Sequence, residues 1–166
     1  YELASWSSAQ PINFVDGDLV RDYREGSYPR YWPYSLEHGK LVPQEPAPAG
    51  MWPFRTSVRN CKYFGETKDQ RGKYWTEYAY LQSDLIDAPL LITFASIATT
   101  NHFVLDRGGH VFKQSAPVVK LSRSASAEDY WRLLGVLNSS VACFWLKENS
   151  QVKGGSGIGR GIGDEA

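Results

Sequence analysis

The chain has 166 residues, a length typical of one domain and sufficient for folding without a metal or a disulfide. Apolar residues make up 42% of it and charged residues 22%, which argues against a disordered chain. Basic and acidic side chains number 18 each, so a histone-like or polybasic-tail binder is disfavoured, although a local basic face is not. Because no apolar run approaches the roughly 18 residues of a membrane span, the sequence predicts no transmembrane helix.

From the two ends of the sequence, we expect the chain to be a piece of a longer protein. The sequence starts at Tyr1, has Met51 as its only methionine, and ends in a glycine-rich stretch. No signal peptide is visible, so we expect a cytoplasmic protein. We predict one domain over residues 1–166, with an irregular part over 1–50, a core over 51–148 and a flexible glycine-rich loop over 149–166.

The cysteines and histidines give no metal site. Cys61 and Cys143 lie far apart and form neither a CxxC pair nor another metal-ligand spacing. The three histidines, His38, His102 and His110, are also spread along the chain. We therefore expect both thiols to be reduced and buried, and no zinc to be bound.

Prolines punctuate residues 1–50. Six of them occur there, and they remove backbone hydrogen-bond donors. We expect mostly loop in this part, with short strands at residues 19–23 and 40–42.

The next segment combines a helical pattern with an aromatic one. Residues 51–64 predict a helix, because Pro53 would lie in its first turn, where the missing N–H is tolerated, and Gly65 would end it. Residues 74–81 are rich in tyrosine and tryptophan and predict a strand.

The second half of the chain contains the clearest strand signals. Residues 90–98 are apolar on both faces and predict a central strand. Residues 102–105 and 110–113 flank an Asp-Arg-Gly-Gly turn and predict a hairpin whose glycines supply positive φ. Residues 117–121 predict one more strand.

A helical region follows these strands. Ser126 and Asp129 have the spacing of a capping box, and the apolar residues that follow have helical periodicity. Asn138 and Ser139 are expected to divide the region into two helices. The chain is therefore predicted to be α+β, with a mixed or antiparallel sheet and packed helices.

The balanced net charge conceals two basic segments. Residues 51–75 carry six basic and two acidic side chains, and residues 102–123 carry four and one. Lysine and arginine neutralise phosphates, and arginine, asparagine and glutamine read base edges, so these segments are candidates for DNA contact. Ordinary solvated faces are the alternative interpretation. The DNA-binding candidates are Arg55, Arg59, Lys62, Arg71, Asn101, His102, Arg107, His110, Lys113 and Gln114, with Arg160 from the glycine-rich stretch.

Catalytic patterns are weak. The glycine-rich end lacks the GxxxxGK[ST] pattern of a phosphate loop, and three nearby aspartates at 16, 18 and 22 lack the closing Glu of a calcium loop. The sequence spacing gives no reason to expect a catalytic pair of His102 with Asp106 or of His110 with Cys143. The residues alone favour a binding domain without catalytic residues, and a hydrolase built on Cys143 or the histidines is the weakest alternative.

Several stretches together resemble one known family. The longest reads ITFASIATTNHFVLDRGG over residues 92–109 and continues to residue 121, and LLGVLNSS follows at residues 133–140. Shorter matching stretches occur at residues 17–23, 32–34, 51–56 and 74–77. The chain resembles the C-terminal region of PglX-like adenine-specific DNA methyltransferases of bacterial BREX (phage growth limitation) defence systems, which are related to type IIG restriction–modification enzymes.

The resemblance implies a DNA target recognition domain. The Asn-Pro-Pro-aromatic tetrapeptide and the glycine-rich S-adenosylmethionine loop of the family's methyltransferase core are absent here. The implied partners are double-stranded DNA and that core, which would flip an adenine and methylate its N6 with S-adenosylmethionine. No cofactor is expected in this chain itself. A module that docks other defence-system proteins is the alternative function. The motif residues expected in the core are Phe94, Phe103, Phe112, Leu134 and Leu137.

Overall fold

The computed structural model of the chain describes residues 11–37 and 40–150. Its helices are α1 (Arg55–Arg59), α2 (Ser83–Ile86), α3 (Ala127–Leu137) and α4 (Ser140–Asn149). Its strands are β1 (Pro11–Val15), β2 (Val20–Arg21), β3 (Arg24–Glu25), β4 (Tyr28–Tyr31), β5 (Tyr34–Glu37), β6 (Lys40–Pro43), β7 (Lys62–Tyr63), β8 (Glu66–Thr67), β9 (Leu91–Thr93), β10 (Val104–Asp106), β11 (His110–Phe112) and β12 (Val118–Val119).

These elements confirm the predicted α+β class, with small mixed and antiparallel sheets and packed helices. The described residues form two compact units. The first comprises residues 11–12 and 29–83, and the second comprises residues 13–28 and 84–150. The domain boundaries predicted at residues 50 and 148 stay predictions, and the glycine-rich stretch after residue 150 lies outside the described residues.

The second unit is organised around β9. This strand lies between β10 and β12 and pairs antiparallel with both. Leu91, Ile92 and Thr93 are almost completely buried, so the predicted central strand is confirmed, although it is shorter than residues 90–98. Ile92 forms one hydrophobic core with Phe103 and with Tyr130 of α3.

The helical pair α3–α4 forms as the sequence predicts. The Ser126 hydroxyl accepts a hydrogen bond from Asp129 N, and the Asp129 carboxylate accepts one from Ser126 N, which completes the capping box. Ser139 caps α4 by accepting from Ala142 N at 3.1 Å. Asn138, between the helices, binds both backbone groups of Phe103, at 2.9 and 2.8 Å. The junction is thereby attached to the core.

The predicted hairpin around residues 106–109 is wrong. Strand β10 pairs with β9, whereas β11 pairs in parallel with β1, with His110 opposite Asn13. Gly108 and Gly109 do have positive φ, at 88° and 84°. The two glycines turn the chain from one sheet into another instead of folding it back, because β11 buries Val111 beside the buried end of β1.

The predicted helix over residues 51–64 is only partly present. A 3-10 helix covers Ala49–Phe54, α1 covers one further turn, and the chain then enters the β7–β8 hairpin. Gly65 therefore lies in a hairpin turn and does not end a helix. Cys61 lies beyond α1 and is exposed, and Cys143 is half-buried, so the prediction that both thiols are buried is wrong; both are free thiols.

The predicted strand over residues 74–81 is also wrong, because this segment forms turns. Its backbone groups bond to side chains and not to a neighbouring strand: Glu77 accepts from Tyr74 N, and the Tyr34 hydroxyl accepts from Tyr78 N at 2.9 Å. Trp75 packs with Met51 in the hydrophobic core of the first unit. The aromatic residues therefore serve packing in this unit and do not pair as a strand.

The proline-rich part contains more strand than the sequence predicts. The described residues up to 43 include six short strands, among them β2 and β6 at the two predicted places. In the described ranges, no helix is long and apolar enough to cross a membrane.

Candidate nucleic-acid interface

The predicted DNA-binding residues fall on both units. Those of the first unit lie on α1, on β7 and in the turns after β8, and those of the second unit lie between β9 and β12. Arg160 lies outside the described residues. The first unit carries Arg55, Arg59, Lys62 and Arg71, and the second carries Asn101, His102, Arg107, His110, Lys113 and Gln114.

Helix α1 presents two cations on one face. Arg55 and Arg59 are four residues apart, so their side chains are neighbours along the helix. With Asn60 and Asp69 they line an open cavity of about 290 Å³. Arg59 forms an exposed ion pair with Asp69, with Nε 2.5 Å from Oδ2. The Arg55 guanidinium lies 5.1 Å from the centre of the Trp52 ring.

The cations around α1 divide into exposed and internal ones. Lys62 on β7 is exposed, and in the described part of the chain its amine has no ion pair or side-chain hydrogen bond. Lys68 is buried instead; its amine donates to Trp75 O at 3.1 Å, and burial lowers its pKa. Arg71 is half-buried and donates to Ala79 O at 2.8 Å. Arg55, Arg59 and Lys62 are therefore the predicted cations of this unit that a phosphate could reach.

Asn101 acts inside the second unit. Its side chain is buried, and Nδ2 donates to Leu137 O at 2.5 Å and to Ser139 O at 3.3 Å. These carbonyls lie at the end of α3 and at the start of α4. The amide thus joins the junction between the helices to the loop before β10.

His102 is half-buried next to Asn101. Its Nε2 and the Thr100 hydroxyl are hydrogen-bonded at 2.6 Å, and its ring lies 4.8 Å from the exposed Tyr23 ring. Its Nδ1 is buried with no hydrogen-bond partner among the described residues. The histidine therefore presents no free ring nitrogen at the surface.

Lys113 is tied to an acidic partner. Its amine forms an ion pair with Asp16, which also accepts from the Ser115 hydroxyl at 2.5 Å. These hydrogen bonds, from Lys113 first and from Ser115 second, lower the pKa of Asp16. Asp16 in turn raises the pKa of Lys113. The ion pair links the end of β1 to the loop after β11.

Arg107 and Gln114 remain exposed in the second unit. The Arg107 guanidinium lies 5.8 Å from the centre of the Trp131 ring on α3, and this ring is half-exposed. Both side chains follow a strand of the sheets, β10 and β11 respectively. They are thus held near ordered backbone but can still contact a ligand.

A cluster of three titratable residues was missed by the sequence reasoning. The Nδ1–H of His110 donates to Asp106 Oδ1 at 2.5 Å, and Glu25 Oε1 lies 4.0 Å from the same nitrogen. Asp106 is fully buried. Burial, and then the neighbouring Asp106 carboxylate, raise the pKa of Glu25 to about 7. The i, i+4 spacing of Asp106 and His110 was the available signal, but nothing in the sequence indicated Glu25.

The geometry of this cluster includes a hydrogen bond between two of its three members. Its ligand atoms lie within 4.8 Å of one another, the spacing of a group that could hold a cation. The 2.5 Å separation between His110 Nδ1 and Asp106 Oδ1 is, however, that of a hydrogen bond between them. Neither of the two catalytic pairs considered from the sequence forms, because Asp106 binds His110 and His102 binds Thr100.

Known proteins provide one informative comparison. No protein-family model matches this sequence. The chain is similar to an adenine-specific methyltransferase, over most of its own length but a small part of the relative. That relative is PglX of Streptomyces coelicolor, which is 42% identical over 151 residues covering 87% of this chain and 12% of PglX. The chain is therefore homologous to a segment of a PglX-like protein.

Proposed function

We propose that this chain is a target recognition domain, which reads a DNA sequence for an adenine-N6 DNA methyltransferase in a phage-defence or restriction–modification system. The observation that carries the proposal is the 42% identity to PglX over 87% of the chain. The motifs of methyl transfer do not occur in this sequence.

The charge of the first unit supports DNA contact. Arg55, Arg59 and Lys62 are exposed and follow one another along α1 and β7. Each phosphate that such a cation neutralises releases counterions, so affinity falls with salt. These three residues are assigned to positioning the DNA backbone.

The exposed polar residues of the second unit are assigned to the reading of bases. Arg107 has the guanidinium geometry that pairs with guanine, and Gln114 has the amide geometry that pairs with adenine. Lys113 would contribute if DNA displaced Asp16 from its amine. The internal hydrogen bonds of Asn101, His102 and His110 make them supports of this surface, and Arg71 supports the surface of the first unit.

The whole-enzyme activity belongs to the same proposal. The methyltransferase core would bind S-adenosylmethionine, flip the target adenine and transfer the methyl group to N6. This chain would supply the sequence-dependent DNA affinity that places the adenine there. We expect this work to take place in the cytoplasm, with the core and double-stranded DNA as partners.

Fluorescence anisotropy with a labelled random-sequence duplex tests the proposal. Three phosphate contacts predict a slope of about −3 in log affinity against log salt concentration. The titration should begin at low salt, because one domain makes few contacts. Absence of binding at the lowest salt concentration would contradict a DNA-binding role for this chain.

A protein-interaction module is the second candidate function. On α4, Val141 and Trp145 are four residues apart and 76% and 60% exposed, and Val136 at the end of α3 is 63% exposed. A contiguous exposed apolar patch often marks an interface. A partner protein that binds at high salt and is lost on Trp145→Ala would favour this function. Binding of that partner with no DNA affinity would replace the first proposal.

A further inference from the structure

The turn of the β7–β8 hairpin has an unfavourable residue at its tip. Lys62 pairs with Thr67 and Tyr63 with Glu66, which leaves Phe64 and Gly65 as a two-residue turn. Both have positive φ, 52° and 86°. Such turns favour Asn-Gly, because asparagine and glycine tolerate the left-handed conformation and a bulky side chain does not. Phenylalanine is therefore not explained by the turn itself.

Burial does not explain Phe64 either. The side chain is 91% exposed, more than any other large hydrophobic residue described. Its ring centre lies 4.5 Å from that of Tyr63, with an angle of 59° between the two planes. A strained backbone and an exposed aromatic ring at the same residue point to a role toward a ligand.

Tyr63, which precedes Phe64 in the hairpin, is packed by two other side chains. Tyr63 stacks on Tyr80, with ring centres 5.7 Å apart and an angle of 18° between the planes. The Arg71 guanidinium lies over the Tyr63 ring, 5.0 Å from the ring centre. Arg71 also donates a hydrogen bond to Ala79 O, which fixes its position. Phe64 thus projects from a hairpin in which the neighbouring Tyr63 ring is held by Tyr80 and Arg71.

The surrounding charge selects the ligand. Lys62, two residues before Phe64, is exposed and unpaired among the described residues. Arg55 and Arg59 of the same unit are also exposed. Of the two acids in residues 51–75, Asp69 is paired with Arg59, whereas Glu66 is exposed and pairs with Tyr63 directly beside the turn. An exposed aromatic ring in a unit that also exposes three cations is complementary to stacked bases joined by phosphates.

We propose that Phe64 is a wedge that inserts into a base step of duplex DNA, between two neighbouring base pairs. The ring would separate the two pairs and stack on a base that it exposes. This inference rests on the proposed DNA-recognition function and assigns to the β7–β8 hairpin a part in it. The cations of α1 and β7 would hold the phosphates while Phe64 opens the step. Opening is easiest where the base pair is already weak, so binding should favour a duplex with a mismatch.

The test compares a matched duplex with the same duplex containing one central mismatch. We expect the full chain to bind the mismatched duplex about tenfold more tightly, because a mismatch lowers the free-energy cost of opening the step. Phe64→Asn should abolish this preference and keep the salt dependence, and its Tm should be equal to or above that of the original chain, because asparagine suits the turn. Phe64→Trp should retain the preference.

Phe144→Ala is the matched control, because Phe144 is also exposed but lies on α4 of the second unit. It should leave both affinities unchanged. Salt-dependent binding without a mismatch preference, or a preference that survives Phe64→Asn, would overturn the role proposed for Phe64. Either result would leave the proposed DNA-recognition function standing. No salt-dependent binding to either duplex would overturn the proposed function and the wedge with it.

Discussion

His110 is bound to Asp106 across the turn that separates two sheets, with Nδ1 donating to Oδ1 at 2.5 Å. The other carboxylate oxygen of Asp106 accepts from Gly108 N at 2.7 Å. Asp106 thus fixes both ends of the turn from β10 into β11. Glu25 approaches the pair from β3, and its carboxyl is the group whose titration this arrangement changes most clearly.

Substitution of Glu25 should change the pH dependence of stability. Its pKa is raised from 4.5 to about 7, so the folded chain binds the proton more tightly than the unfolded chain. The contribution of the Glu25 carboxyl to the free energy of unfolding should therefore be largest below pH 4.5. This contribution should be lost as the pH rises through 7. Glu25→Gln should be about 1–3 kcal/mol more stable than the original chain at pH 8 and nearly equal at pH 4.5. Urea unfolding at both pH values measures this, and a constant difference between them would contradict it.

Two neighbouring glycines should differ in their tolerance of alanine. Both Gly108 and Gly109 have positive φ, but a Cβ on Gly108 would lie 3.0 Å from Ala88 O, whereas one on Gly109 would meet nothing within 4 Å. Gly109→Ala should cost about 1 kcal/mol, from backbone strain alone. Gly108→Ala should cost about 1–2 kcal/mol more, since the carbonyl belongs to backbone and yields little. Equal thermal stability of the two variants would count against this close approach.

Asn101 should matter for stability and not for DNA contact. Removal of its buried amide leaves the carbonyls of Leu137 and Ser139 without this donor. Asn101→Ala should therefore lower the free energy of unfolding by about 2 kcal/mol. DNA affinity per folded molecule, measured well below the Tm of the variant, should not change. Loss of affinity at full stability would instead make Asn101 a reader of bases.

Local signals predicted the helical region and the position of the central strand, although not the length of that strand. The capping box of Ser126 and the cap of Ser139 act within a few residues, so the sequence contains all of their partners. Leu91 and Ile92 belong to a run that is apolar on both faces, and only a central strand buries both. These elements depend little on distant parts of the chain.

Elements that depend on distant partners were not predictable. The strand that begins at His110 pairs with β1, about one hundred residues earlier, and no local pattern announces a parallel partner at that distance. Trp75 and its neighbours have strand propensity but are taken into a hydrophobic core.

The residues of the candidate site also divide into those that the local sequence identifies and those that depend on the tertiary fold. Composition identified the basic segments around Arg59 and Arg107. It could not distinguish exposed Lys62 from Asn101 or Arg71, whose hydrogen-bond partners are supplied by the tertiary fold. The role proposed for Phe64 also depended on its backbone angle and exposure, neither of which the sequence contains.

The salt dependence of DNA binding by a charge-reversal variant tests the account most directly. Arg55→Glu with Arg59→Glu should weaken binding to a random-sequence duplex and reduce the slope of log affinity against log salt by about two. Arg123→Glu with Arg132→Glu is the control, since it changes the net charge equally at exposed positions elsewhere. We predict that the control keeps the original slope. An unchanged slope in the α1 variant, or an equal loss in both variants, would contradict a phosphate-binding face on α1.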